Sequence, residues 1–146
     1  MDEIKKIQDE VMPSVRCRDY ARALRLCNEL IVGNPRLSDG FRERAFVHGH
    51  MGRLEDAIRD STCAIALDMQ EHDFEEPADY LRRGHDQVVL GAYEEAIRDF
   101  SRVIDLCEKY SNRYYAEPAY QHRAYAYLRM GAFRKAIEDC DCFQYA

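Results

Sequence analysis

Residues 91–100 read GAYEEAIRDF, and almost the same phrase occurs twice more, as GRLEDAIRD at 52–60 and GAFRKAIED at 131–139. Each copy runs glycine, any residue, an apolar or aromatic residue, two polar residues, Ala-Ile, a charged residue and aspartate. A phrase repeated three times marks a structural unit copied along a chain rather than one catalytic centre. Aligned on the alanine, the copies fall at Ala57, Ala96 and Ala136, with a weaker upstream copy, RDYARALRLC, at Ala23. The intervals are 34 (23 to 57), 39 (57 to 96) and 40 (96 to 136).

That period fits a helical array or a propeller. The apolar spacing decides between them. In the third unit Tyr93, Ala96, Ile97, Phe100, Ile104 and Cys107 lie three or four apart, which makes one helical face. Upstream of each glycine, Phe41–Met51, Tyr80–Leu90 and Tyr120–Met130 each open on an aromatic and carry an apolar stripe, so a first helix is expected there. Gly52, Gly91 and Gly131 then supply the left-handed residue that ends a helix. Pro77 and Pro118 precede first helices, where a missing N–H is harmless. The expected unit is helix, tight turn, helix. The expected fold is an all-α, right-handed solenoid of antiparallel helix pairs, forming a single domain over 1–146 with approximate units 3–35, 38–70, 77–112 and 117–146.

The residues resemble the tetratricopeptide repeat. Tyr80, Gly84, Ala96 and Phe100 fit its signature, as do Tyr120, Ala124, Tyr127 and Ala136. Phe41, Ala45 and Ala57 fit too, with Ser61 where a large residue is usual, and Pro35 follows the upstream unit. Two features depart from the pattern. The leucine usual on the first helix is Arg44, Arg83 or Arg123, and the matching second helices carry Asp60, Asp99 and Asp139. The upstream unit lacks both, having Glu10 and Leu26, so the arginines and aspartates are expected to meet as ion pairs between packed helices. The second departure is length. DMQEHDFEE (68–76) and EKYSNRYYAE (108–117) lie between units, where added helical turns followed by a loop are expected. They either lengthen the units harmlessly or form a second contact surface.

Composition limits the function. The 146 residues include 21 Lys and Arg against 27 Asp and Glu, a net charge of −6 that argues against a phosphate-binding face. No apolar run approaches the roughly 20 residues that span a bilayer, and MDEIKKIQDEV lacks a signal-peptide core. Six cysteines without disulfide spacing read as reduced thiols in a cytoplasmic protein. His48 and His50, two apart on a helix, point to different sides and cannot chelate together, and Cys140 and Cys142 have the same geometry. Cys27, Phe100 and Cys140 share one register position and are expected in the core. GNPRLSDG reads as a loop, and the carboxylate pairs Glu75–Glu76 and Glu94–Glu95 as loops or solvated helix starts. No catalytic constellation is present, so no enzyme, cofactor or metal is expected.

The expected function is therefore a protein-interaction module, an adaptor, scaffold or partner-specific chaperone, holding a peptide or helix in a concave groove. A helical-repeat RNA reader and a regulatory fragment of a larger enzyme are the alternatives. The resemblance implies that first helices line the groove. Its places hold Arg42, Phe46 and His50, then Arg82, His85 and Val89, then His122, Tyr125 and Arg129. Three arginines, three histidines and no aspartate in an acidic chain suit a partner with acidic residues beside apolar anchors, bound more tightly below about pH 6.5. One branch of the family clamps chaperone C-termini with lysine, asparagine and arginine. The corresponding places hold Gln8, Met12, Glu43, Ala78 and Arg82, or one unit later Arg42, Phe46, Arg82, Pro118 and His122, so no such clamp is expected. The final segment AIEDCDCFQYA leaves Ala136, Ile137, Cys140 and Phe143 on a stacking face, which implies self-association through this helix or a longer parent protein.

Overall fold

Eight helices follow one another in the computed structural model, which describes the backbone of residues 2–144 and the side-chain surroundings of 3–142. They are α1 (Asp2–Arg16), α2 (Tyr20–Gly33), α3 (Ser38–His50), α4 (Leu54–His72), α5 (Pro77–Val89), α6 (Tyr93–Lys109), α7 (Ala116–Arg129) and α8 (Phe133–Gln144), with no strand among the described residues. They form two compact units, Met1–Phe74 and Glu75–Ala146, each of two helix pairs. Phe143 lies outside the described side chains.

The turn inside each pair has one chemistry. Gly52, Gly91 and Gly131 adopt φ of +74°, +81° and +78°. The next N–H then reaches back into the first helix: Arg53 to His48 O at 2.9 Å, Ala92 to Gln87 O at 2.8 Å and Ala132 to Tyr127 O at 2.9 Å. The upstream pair makes the same turn without glycine. Arg18 takes φ +59° and Asp19 N–H donates to Ser14 O at 2.8 Å. Asp19 also caps α2, its carboxylate accepting from Arg22 N–H at 3.1 Å.

The first helices begin three or four residues before the aromatic at which the sequence pattern starts. Pro77 opens α5, with the Glu76 side chain accepting from Ala78 N–H at 3.3 Å. Ser38 and Gly40 are buried in the first turn of α3, so GNPRLSDG is a loop only over 34–37. A Cβ at Gly40 would stand 2.8 Å from Ile31 Cγ1, which explains a small residue there. The spacers divide as expected in kind but unequally. Asp68–His72 extend α4 before Asp73 ends it at φ +49°, whereas α6 gains only Glu108 and Lys109 before a turn through Ser111 at φ +52°.

Each unit has its own core. In Met1–Phe74, Val11, Val15, Ala23, Cys27 and Val47 are buried, with Tyr20, Leu24 and Phe46 against them. Burial pushes the Cys27 thiol up to about 12, so it is an inert filler. In Glu75–Ala146 the centre is Phe100, fully buried with Val103, Ile104 and Ala119. Gly84 makes room for its ring, since a Cβ there would lie 2.7 Å from Phe100 Cε1. Cys140 corrects the expectation from register: it is exposed, because no described helix covers that side of α8.

The arginines and aspartates meet. Arg44 Nε and Nη2 donate to Asp60 at 2.9 and 2.7 Å, and Arg83 to Asp99 and Arg123 to Asp139 each at 2.8 and 2.6 Å. Each guanidinium lies over the aromatic that opens its repeat: Phe41 at 5.6 Å, and Tyr80 and Tyr120 each at 5.5 Å. The fork therefore joins the two helices of a pair and stacks on a ring at once. Glu75 lies on a loop as expected, with a partner the sequence did not indicate. Its side chain is mostly buried, accepting from Arg102 Nε at 2.8 Å and Tyr80 Oη at 2.8 Å. The Arg102 guanidinium holds its carboxyl below the usual range.

Candidate partner-binding face

Residues four apart on a helix share a face. The candidate residues obey this as 42, 46 and 50 on α3, 85 and 89 on α5, and 125 and 129 on α7. In Met1–Phe74, Arg42 serves the fold as well: it donates to Asp39 at 2.8 Å and to Asp68 at 2.6 Å, and Asp68 is itself buried. Phe46 is half-buried against the core and its ring centre lies 4.2 Å from that of exposed His50. His50 Nδ1 sits 3.0 Å from Phe46 O, while His48 Nδ1 sits 3.0 Å from Asp60 Oδ2. The two histidines are thus engaged separately.

In Glu75–Ala146, α5 presents His85 and Val89, and α7 presents Tyr125 and Arg129. Val89 is 60% exposed and Tyr125 48%, large apolar surfaces that nothing described covers. Arg82 is half-buried on α5. Arg129 Nε donates to Tyr93 Oη at 3.2 Å, which aims its guanidinium across the start of α6. His122 is the inner member of the set. It stacks on Phe100 at 5.6 Å and meets the edge of His85 at 5.5 Å. Burial, and then the neighbouring His85, push its pKa below 6.5. His122 therefore takes up a proton less readily than a free imidazole, which weakens its part in the acidic binding expected of all three histidines. Asp86 adds a carboxyl 3.9 Å from His85 Nδ1, held above the usual range by burial.

Two members of this face were missed. Leu128 is 52% exposed, three residues after Tyr125 and on the same side of α7. Tyr93 orients Arg129, and its position one turn before the repeated Ala-Ile was available as a signal. A separate pocket of about 570 Å³ opens beside the 108–117 spacer, lined by Ile104, Cys107, Arg113, Ala116, Tyr120 and Cys142. No helix among the described residues is long and apolar enough to cross a membrane.

No protein-family model matches the chain, and no curated protein matches it. Solved structures do. The TPR2B domain of yeast Sti1, in its complex with pHsp70, is 19% identical over 88% of this chain and 99% of that one, with a TM-score of 0.77. MamA is 16% identical over 97% of this chain and 74% of its own, at 0.76. The TPR domain of Arabidopsis OM64 is 20% identical over 86% of this chain and 95% of its own, at 0.69. At these identities the likeness establishes the fold.

Proposed function

Because this chain has the tetratricopeptide-repeat fold, we propose that it is a protein-interaction module that holds a short segment of another protein on the exposed faces of its first helices. The observation that carries this reading is the strip on α5 and α7 where Val89, Tyr125 and Leu128 stand open to solvent. His85 and Arg129 flank it. Exposed aromatic and aliphatic residues next to a cation make an anchor site for an apolar side chain beside a carboxylate. On α3, Phe46 and His50 offer a similar ring pair. The Sti1 neighbour is a complex with pHsp70, which supports a peptide as the ligand class. The residues at the family's carboxylate-clamp places, Gln8, Met12, Glu43 and Ala78 among them, favour a partner other than a chaperone tail. An adaptor or scaffold role follows.

The test uses a partner captured by the immobilised chain and then reduced to its binding fragment. Val89→Glu with Tyr125→Glu places two carboxylates on the strip, and both positions are exposed, so the fold tolerates them. The fragment should bind this variant at least about tenfold more weakly, as losing a central anchor does. Equal affinity for the folded variant would discard the strip and favour the pocket beside the 108–117 spacer.

A further inference from the structure

The guanidinium at the end of the α5–α7 strip is not committed to the fold. Arg42 on α3 is held by Asp39 and Asp68, whereas Arg129 has no carboxylate within 4.0 Å among the described residues. Its Nε donates to Tyr93 Oη at 3.2 Å, which uses one edge of the guanidinium. The fork of Nη1 and Nη2 has no partner among the described residues. Tyr93 is in the same state. Its oxygen accepts from Arg129, so its own O–H proton points elsewhere, and no described residue accepts it. Packing does not require that hydroxyl, since the same place in the flanking repeats holds Leu54 and Phe133.

We propose that Arg129 and Tyr93 together form a carboxylate receptor, with Tyr93 as a specificity-determining residue; this rests on the strip being the partner-binding site. The Nε bond to Tyr93 fixes the plane of the guanidinium, and the fork donates to the two oxygens of an Asp or Glu side chain. The Tyr93 O–H adds a further donor. A side-chain amide of the same shape is rejected, because its NH2 group would face only donors. The apolar neighbours fix where the acid lies in the partner. Tyr125 and Leu128 are exposed on α7, and Tyr125 precedes Arg129 by one helical turn, about 6 Å along the axis. Side chains on one face of an extended segment are about 6.7 Å apart. The partner segment is therefore extended and carries an apolar residue with an acid two positions away. The apolar side chain rests on Val89, Tyr125 and Leu128 while the acid reaches Arg129 and Tyr93.

Random peptides displayed on phage and selected on the immobilised chain supply the probe. Each enriched peptide is then compared with a copy whose acid is changed to its amide, by fluorescence anisotropy. The comparison is made on the parent, Arg129→Gln and Tyr93→Phe chains, with circular dichroism to show that all three are folded. Enriched peptides should share an apolar residue two positions from an acid. The amide copy should bind the parent at least about tenfold more weakly, as loss of hydrogen bonds to a charged group does. That penalty should shrink to less than about twofold on Arg129→Gln and to about threefold on Tyr93→Phe, which lacks one donor. Enriched peptides without an acid overturn the receptor. So do amide copies that bind the parent as tightly as the acids, or a penalty that survives Arg129→Gln or is unchanged by Tyr93→Phe. These results leave the strip itself standing if Val89→Glu with Tyr125→Glu still abolishes binding. Peptides indifferent to that double variant overturn the strip and the receptor with it.

Discussion

Replacing Asp99 with alanine removes the acceptor of two hydrogen bonds from Arg83, at 2.8 and 2.6 Å, in a pair whose side chains are only 6% and 18% exposed. The guanidinium keeps its position over Tyr80 at 5.5 Å but loses its carboxylate. Breaking a buried pair from one side costs about 3–5 kcal/mol. The partial exposure of Arg83 places this case at the lower end, about 3 kcal/mol. For a chain of this size that lowers Tm by roughly 9 °C, at about 3 °C per kcal/mol. Thermal melts followed by circular dichroism, with urea unfolding in parallel, measure it. Glu29→Ala, on an exposed position of α2, should stay within about 0.5 kcal/mol of the parent. The double replacement Arg83→Leu with Asp99→Leu should recover most of the loss, since well-packed apolar residues replace a buried pair at little cost. A Tm for Asp99→Ala within about 2 °C of the parent would mean that the forks are solvated ornaments and that the repeat is held by its apolar faces alone.

Two glycine changes should have opposite signs. Gly84→Ala drives a Cβ to 2.7 Å from the fully buried Phe100 ring and should cost roughly 1–3 kcal/mol by urea unfolding. Gly49→Ala, with nothing within 4 Å on a helix, should stabilise by up to about 1 kcal/mol. His122 gives a pH signature. Its folded pKa lies below 6.5, so its contribution to stability is full above that value and is lost as pH falls beneath it, where only the unfolded chain takes the proton readily. Melts at pH 7.5 and 5.5 should therefore show a larger drop for the parent than for His122→Phe, and equal drops would contradict the burial argument.

Local chemistry that recurs was legible in the sequence. The three glycines predicted their turns, and the joint presence of Arg44, Arg83 and Arg123 with Asp60, Asp99 and Asp139 predicted contacts across helix pairs. What escaped was set by context. Arg18 makes the left-handed turn without glycine, because its neighbours supply the same hydrogen bonds. Cys140 and Phe100 share a register position, but among the described residues a helix covers Phe100 and leaves Cys140 exposed. Glu75 looks like a loop carboxylate until Arg102, 27 residues on, folds back to it. The candidate face was readable as a set of helix positions. Its electrostatics were not, because the pairs of Arg42 with Asp68 and of Arg129 with Tyr93, and the burial of His122, arise only from packing.

The most direct test of the central claim is a chemical-shift map of the isotope-labelled 17.1 kDa chain, titrated with the binding fragment of a captured partner. The largest changes should fall on His85, Val89, Tyr125, Leu128 and Arg129, with residues 108–115 and α8 unmoved. Changes confined to the 108–117 spacer and its pocket, with α5 and α7 silent, would contradict the account.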